Sequence, residues 1–243
     1  MIRLVAFVNG HLGATALRIG RPWLVGVVLN DPVKRREVEA IVAAVEAGIP
    51  VLDGGHDGLA GRIAGLAPTH GLSVLYGHIL RSEVLALFPG GVANLHPSFL
   101  PFGRGAHPNA YAIARNEPAG VTLHLIDEGV DTGPVLSQER VPVHLDDTAE
   151  TLYARLMAAA ESLLTRSVPT WLAGGLPPIP QTPGGAARRV ADLDRVLSID
   201  AETTYTGRAL IDLLRARTFP PHGAMYHVDG RRFRIRINLE EVP

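Results

Sequence analysis

Asn94 and His96 stand two residues apart at the end of the apolar run GVANLH, and the chain leaves them through Pro-Ser-Phe-Leu-Pro. Residues two apart on a strand project to the same side. An amide and an imidazolium are both hydrogen-bond donors, and side by side they suit an oxygen that turns negative when a carbonyl is attacked. Pro97 and Pro101 fix the backbone just beyond them. A third candidate lies downstream in DEGVDTG, where Asp131 sits between Gly129 and Gly133. A carboxylate brought beside His96 would keep the imidazole protonated and relay a proton from the attacking group. Taken alone, the same loop reads as an acidic turn. Ser98 has no base beside it and the chain has no G-x-S-x-G elbow, which favours attack by a substrate group over a covalent intermediate.

These residues need a scaffold, and the first half supplies an alternating pattern. IRLVAFV, WLVGVVLN, IPVLD, LSVLYG and GVANLH read as buried strands. Between them, VKRREVEAIVAAVEA (33–47) carries Val38, Ile41, Val42 and Val45 at helical spacing, a second helix is expected over 56–68, and RSEVLALF forms a short third. Nearly continuous apolar strands separated by helices indicate a parallel sheet covered on both faces. Asn94 and His96 then lie at the carboxyl end of a parallel strand, where such sheets bind ligands. GVTLHLID and PVLSQERVPV predict an antiparallel pair joined by the acidic loop. A long helix follows, capped by Asp147 or Thr148, with Leu152, Leu156, Ala159 and Leu163 as its buried stripe. GGLPPIPQTPGG (174–185) is a linker. After it come an amphipathic helix, TGRALIDLLRAR, and a hairpin around Asp229-Gly230. The expected division is a catalytic domain over 1–172, a linker over 173–187 and a small C-terminal α+β subdomain over 188–243.

Composition narrows the classes. The 243 residues carry net charge −1 and no cysteine, which excludes disulfides, thiolate nucleophiles and a global basic field for nucleic acid. No apolar run approaches a membrane span of about 20 residues, and the N-terminal apolar run is too short for a signal peptide. A cytoplasmic protein with no catalytic metal is expected, since the histidines show no ligand spacing.

NLHPSFLP, GRGAHPNAYAI, AGVTLHLIDEGVDTGPVLSQ and YGHILRSEVLALFPGG together resemble the formyltransferases that use N10-formyltetrahydrofolate, closely over about residues 73–143. The resemblance implies a Rossmann-like, mainly parallel α/β sheet with a β-hairpin extension. It implies that Asn94 and His96 stabilise a tetrahedral oxyanion while Asp131 orients His96 and assists proton transfer. It places the folate between Tyr76, Gly77, His78, Ile79 and Leu80 on one side and Ile126, Asp127, Glu128, Gly129 and Val130 on the other, largely through backbone groups.

The resemblance implies a primary amine as acceptor, and the candidates differ in size. Small nucleotide-linked amino-sugar N-formyltransferases resemble the chain best, through RGAHPNAYAI and the tail YTGRALIDLLRARTFPP; a homodimer through that tail is implied. Methionyl-tRNA formyltransferases resemble the core but carry a C-terminal barrel about twice the size of the post-linker region. Ornithine-type amines and glycinamide ribonucleotide are further acceptors of the right chemistry. Hydrolysis of the formylfolate, or a folate-binding module without turnover, would need no amine at all. Ser98, Phe102, Arg104, Gly105 and Asn109 are the expected acceptor-side residues, with Asn9 in NGHLG as a phosphate-side contact. Gly103 stands where many sugar enzymes carry a polar Asn. His124 is placed either on the folate loop or as a structural histidine, and the alternating Arg232, Arg234 and Arg236 as a solvated strand face.

Overall fold

A computed structural model describes residues 1–29, 48–54, 58–182 and 184–242. The helix expected over 33–47 lies outside the described residues, as does the start of the one expected at 56. The chain divides into two compact units, one comprising Met1–His96, Thr122–Gln138 and Ala160–Gln181, the other Pro97–Val121, Glu139–Ala159 and Thr182–Pro243.

The first unit is built on a sheet whose strands are β1 (Leu4–Val8), β2 (Leu24–Leu29), β3 (Val51–Asp53), β4 (His70–Val74), β5 (Val92–His96), β6 (Ala119–Leu125) and β7 (Val135–Val141). Their order is β3-β2-β1-β4-β5-β6-β7. The pairs β1–β2, β1–β4, β2–β3 and β4–β5 are parallel, and β6 runs antiparallel to β5. Every residue of β1 is buried, the expected result for a central parallel strand with both faces covered. Strand order reverses between β1 and β4, so the crevice at their carboxyl ends is the topological switch point. The helices of this part are α1 (Gly10–Gly20), α2 (Leu59–Ala64) and the single turn α3 (Ser82–Leu85). Phe7, Val28, Ile63, Leu80, Phe88 and Val92 form one apolar cluster.

The long helix α5 (Ala149–Leu172) follows β7. Thr148 is its cap, with Oγ1 accepting from Thr151 N at 3.3 Å. Its buried stripe runs Leu152, Leu156, Ala160, Leu163, Leu164 and Val168. Ala160 replaces the expected Ala159, because the stripe follows a 3.6-residue period into the i+4 position.

The second unit carries α4 (Pro108–Arg115), α6 (Asp192–Val196), β8 (Ile199–Asp200), α7 (Gly207–Arg217), β9 (Ala224–Val228) and β10 (Arg231–Ile235). β9 and β10 form the expected hairpin, with Asp229 and Gly230 both at positive φ as a type I′ turn requires. The two-residue β8 adds a parallel third strand. Arg231, Arg232 and Arg234 are solvent-exposed. Among the described residues, no helix is long and apolar enough to cross a membrane.

Candidate active site

On β5, Ala93 and Leu95 project to one face and Val92, Asn94 and His96 to the other. The antiparallel register with β6 sets His124 opposite Asn94 and Thr122 opposite His96. Asn94 Nδ2 lies 3.3 Å from His124 Nε2, and His124 Nδ1 lies 2.8 Å from the Leu125 carbonyl oxygen. A carbonyl only accepts, so Nδ1 carries the proton and Nε2 of the neutral ring accepts from the amide. Asp131 closes the cluster, with Oδ2 3.5 Å from His96 Nε2 and Oδ1 3.5 Å from His124 Nε2. The carboxylate therefore lies between two imidazoles, and with His124 neutral it is His96 that can donate to it. His96 and His124 are buried, which strengthens each of these interactions relative to water.

The loop that delivers Asp131 is braced from several directions. Asp127 Oδ1 accepts from Gly129 N at 3.1 Å and Thr132 Oγ1 at 2.6 Å, an Asx-type turn. Asp131 takes φ +53, a left-handed conformation in which Asp and Asn are enriched. Gln181 Nε2 donates to Asp131 O at 3.0 Å and to Gly133 O at 2.6 Å. Gly133 packs so tightly that a Cβ there would stand 1.9 Å from Leu125 O. Gln138 Nε2 donates to Thr122 Oγ1 at 3.0 Å, opposite His96 on the neighbouring strand.

The two segments expected to hold the folate meet on common ground, since Tyr76 and Ile126 both pack on the apolar cluster around Phe7 and Leu80. Beyond them the chain turns outward: Gly77, His78 and Ile79 are exposed on one side, and Asp127, Glu128, Gly129 and Val130 on the other. Ile79 and Val130 thus present apolar side chains to solvent. The Tyr76 ring stacks edge-on against Phe7 and His78, and its buried hydroxyl has no hydrogen-bond partner among the described residues. Burial, followed by the nearby Asp53 charge, pushes the Tyr76 hydroxyl up to about 12, so it is a neutral donor at physiological pH.

Asn9 is buried at the carboxyl end of β1, where its Nδ2 donates to Leu75 O at 3.1 Å beyond the end of β4. It makes no side-chain cap to α1. The remaining expected acceptor residues belong to the second unit. Phe102, Gly103 and Arg104 form one wall of a cavity of about 340 Å³, with Phe102 exposed. Ser98 is buried. Gly103 has φ +66, and a Cβ there would stand 3.0 Å from Pro108 Cβ and 3.1 Å from Ser98 Cβ. Asn109 lies elsewhere: it is buried, donates to Ala149 O at 2.8 Å and lines a different cavity with His107, Tyr153 and Arg217. Two supporting residues had weaker sequence signals. His124 was visible as a polar residue on a core strand, but its register was not; Gln181 has no local signal at all.

A mainly parallel α/β sheet thus carries a partly buried Asn-His-Asp cluster at the carboxyl end of β5. Comparison with known proteins gives the class. Residues 56–168 match the Formyl transferase family model, and residues 192–241 match the N-formyltransferase dimerization C-terminal domain. The methionyl-tRNA formyltransferase of Anaeromyxobacter dehalogenans (strain 2CP-C) is 35% identical over 231 residues, covering 93% of this chain and 71% of that protein. A sugar N-formyltransferase structure from Shewanella sp FDAARGOS_354 superimposes with TM-score 0.82 at 21% identity, covering 100% of this chain and 99% of that one. The formyltransferase PseJ from Anoxybacillus kamchatkensis, solved with UDP-4,6-dideoxy-4-formamido-L-AltNAc and tetrahydrofolate, is 26% identical with TM-score 0.57, covering 78% and 97%. The chain belongs to the formyltransferase family and is an N-formyltransferase.

Proposed function

We propose that the chain transfers a formyl group from N10-formyltetrahydrofolate to the primary amine of a nucleotide-linked amino sugar. The observation that carries the chemistry is the partly buried cluster of Asn94, His124, Asp131 and His96. The neutral amine attacks the formyl carbon, forming the new C–N bond as the carbonyl electron pair moves to oxygen. Asn94 and His96 hold that oxyanion. Asp131 keeps His96 protonated and takes up the proton released by the attacking nitrogen. Collapse breaks the bond to N10, which departs with its electron pair and is protonated.

The residues present suit the donor. A folate supplies a flat, amphiphilic ring with polar edges, and the two segments offer exposed Ile79 and Val130, exposed backbone and the unpartnered Tyr76 hydroxyl. When bound, the donor supplies the activated formyl carbon. Tyr76–Leu80 and Ile126–Val130 would hold it.

For the acceptor, two observations favour a sugar nucleotide. The fold matches sugar N-formyltransferases along their whole length, and residues 192–241 match the dimerization domain of N-formyltransferases. The same domain supports a homodimer, and a net charge of −1 offers little attraction for tRNA phosphates. The curated relatives are methionyl-tRNA formyltransferases, which keeps that acceptor as the second reading. On the acceptor side, Ser98, Phe102, Arg104 and Gly105 are assigned to contact, Asn109 to support of α4, and Asn9 to the switch-point crevice.

The test incubates the purified protein and N10-formyltetrahydrofolate with UDP- and dTDP-linked 3-amino and 4-amino sugars, glycinamide ribonucleotide, ornithine and methionyl-tRNA. A formyl mass gain on a sugar nucleotide is expected, and gain on methionyl-tRNA alone establishes the second reading. Formate release without any amine would indicate hydrolysis. Asn94→Ala and His96→Ala should each lose about 3–4 kcal/mol of transition-state stabilisation; near-normal transfer by either folded variant removes the assignment.

A further inference from the structure

We infer that Arg188, the first residue beyond the Gly/Pro-rich linker, is a positioning residue for the acceptor-binding turn, so that the end of the linker sets acceptor affinity. This rests on the reading in which Phe102–Gly105 meets the acceptor.

The end of the linker and the turn are joined through their backbones. Arg188 N donates to Arg104 O at 3.0 Å, and Ala106 N donates to Arg188 O at 2.8 Å, making a bridge of Gly105 with Arg188. Gly105 permits this approach: it takes φ +81, and a Cβ there would stand 2.2 Å from Arg188 O. The side chain then anchors the bridge. The guanidinium pairs with Glu117, just beyond α4, and its Cζ lies 4.0 Å from the centroid of the Tyr111 ring within α4. Tyr111 is fully buried, so the ring is a fixed platform. One residue thus ties the turn at 104–106 to two points on or beside α4.

A solvated linker has no need of such an arrangement, and a lysine would not reproduce it. A planar guanidinium stacks on a ring and pairs with a carboxylate at the same time, whereas an ammonium is a single charge on a flexible stem. The bridge also bears on the cavity of about 340 Å³, which is lined by both segments, Pro101–Arg104 and the stretch from Thr182 to Ala186, together with Arg188 and Glu117. Without the anchor, both walls lose their spacing. None of these contacts involves Asn94, His96 or Asp131, so the loss belongs to acceptor binding rather than to the chemical step.

The experiment compares wild type, Arg188→Ala and Arg188→Lys by hydrogen exchange and by steady-state kinetics with whichever of the amines named under Proposed function wild type formylates. In Arg188→Ala, exchange at the Ala106 and Arg188 amides should quicken, the acceptor KM should rise about tenfold or more, and kcat and the donor KM should stay within about twofold. Arg188→Lys should recover part of the KM, because it retains the charge facing Glu117. Unchanged exchange at Ala106 overturns the inference, and so does faster exchange with an unchanged acceptor KM. Failure of wild type to formylate any sugar nucleotide overturns the functional reading instead, and the exchange result still decides whether Arg188 holds the turn.

Discussion

His124 faces Asn94 across the β5–β6 pair, its Nε2 3.3 Å from the amide nitrogen. The imidazole accepts one N–H of Asn94 and thereby aims the other. His124→Ala should lower kcat about 10- to 100-fold, or about 1.4–2.7 kcal/mol, with little change in either KM. Kinetics on a variant whose melting curve matches wild type would check this; an unchanged kcat would mean that Asn94 orients itself.

Gly133 sits where any side chain would strike the Leu125 carbonyl, with Cβ at 1.9 Å. Backbone does not yield as a flexible side chain does, so Gly133→Ala must move the loop that carries Asp131. A kcat loss of about 100-fold is expected, since a misplacement of about 1 Å costs on that order. The same kinetic assay checks it, with far-UV circular dichroism to confirm an intact sheet.

Gln181 holds the loop from outside, donating to the carbonyls of Asp131 and Gly133. Gln181→Ala leaves two acceptors to find water and should cost about 1–3 kcal/mol across stability and kcat. Gln181→Glu should be worse than alanine near neutral pH, because a carboxylate would face two carbonyl oxygens. The order of kcat, wild type above alanine above glutamate, is the measurement that decides.

Asp147 gives the second unit an acid-sensitive support. Burial pushes its carboxyl up, but hydrogen bonds from Arg155, the His144 N–H and Thr151, with the Arg155 charge, hold it below the usual carboxylate range. A group lowered in the folded state stabilises above its unfolded value, about 3.9 for aspartate, and this contribution is lost as pH falls through the folded value. Asp147→Asn should therefore cost about 1–3 kcal/mol at pH 7, discounted because Arg155 is partly exposed. Its melting temperature should fall less steeply than wild type below about pH 4. Parallel pH profiles of thermal melting would show the two curves converging; profiles that stay parallel would contradict the assignment.

Much of the scaffold was legible because its signals are local. Apolar runs marked β1, β2, β4 and β5, and Asp229-Gly230 marked the last hairpin; all are present. The approach of Asp131 to His96 was legible only as a condition, that the hairpin pack beside its strand; the structure meets it with the two side chains 3.5 Å apart. Register was not legible: nothing in GVTLHLID says that His124 faces Asn94 rather than its neighbour, because pairing is decided across strands. Gln181 and Arg188 were hidden for a related reason. A Gly/Pro-rich composition identifies a linker but carries no information about which carbonyls or rings the linker will meet. The two-residue β8 has no periodicity to detect.

The pairing of His124 with Asn94 makes the β6–β7 connection a measuring device. One end of the measured span is pinned by the strand register and the other by the Gly133 contact with Leu125, so the count of residues from His124 to Asp131 sets where the carboxylate arrives. Adding or removing a single residue in that span would leave the hydrophobic layers intact and uncouple the carboxylate from both imidazoles. Substitutions at the Phe102 and Arg104 side chains leave this interval untouched, whereas any change in its length moves Asp131.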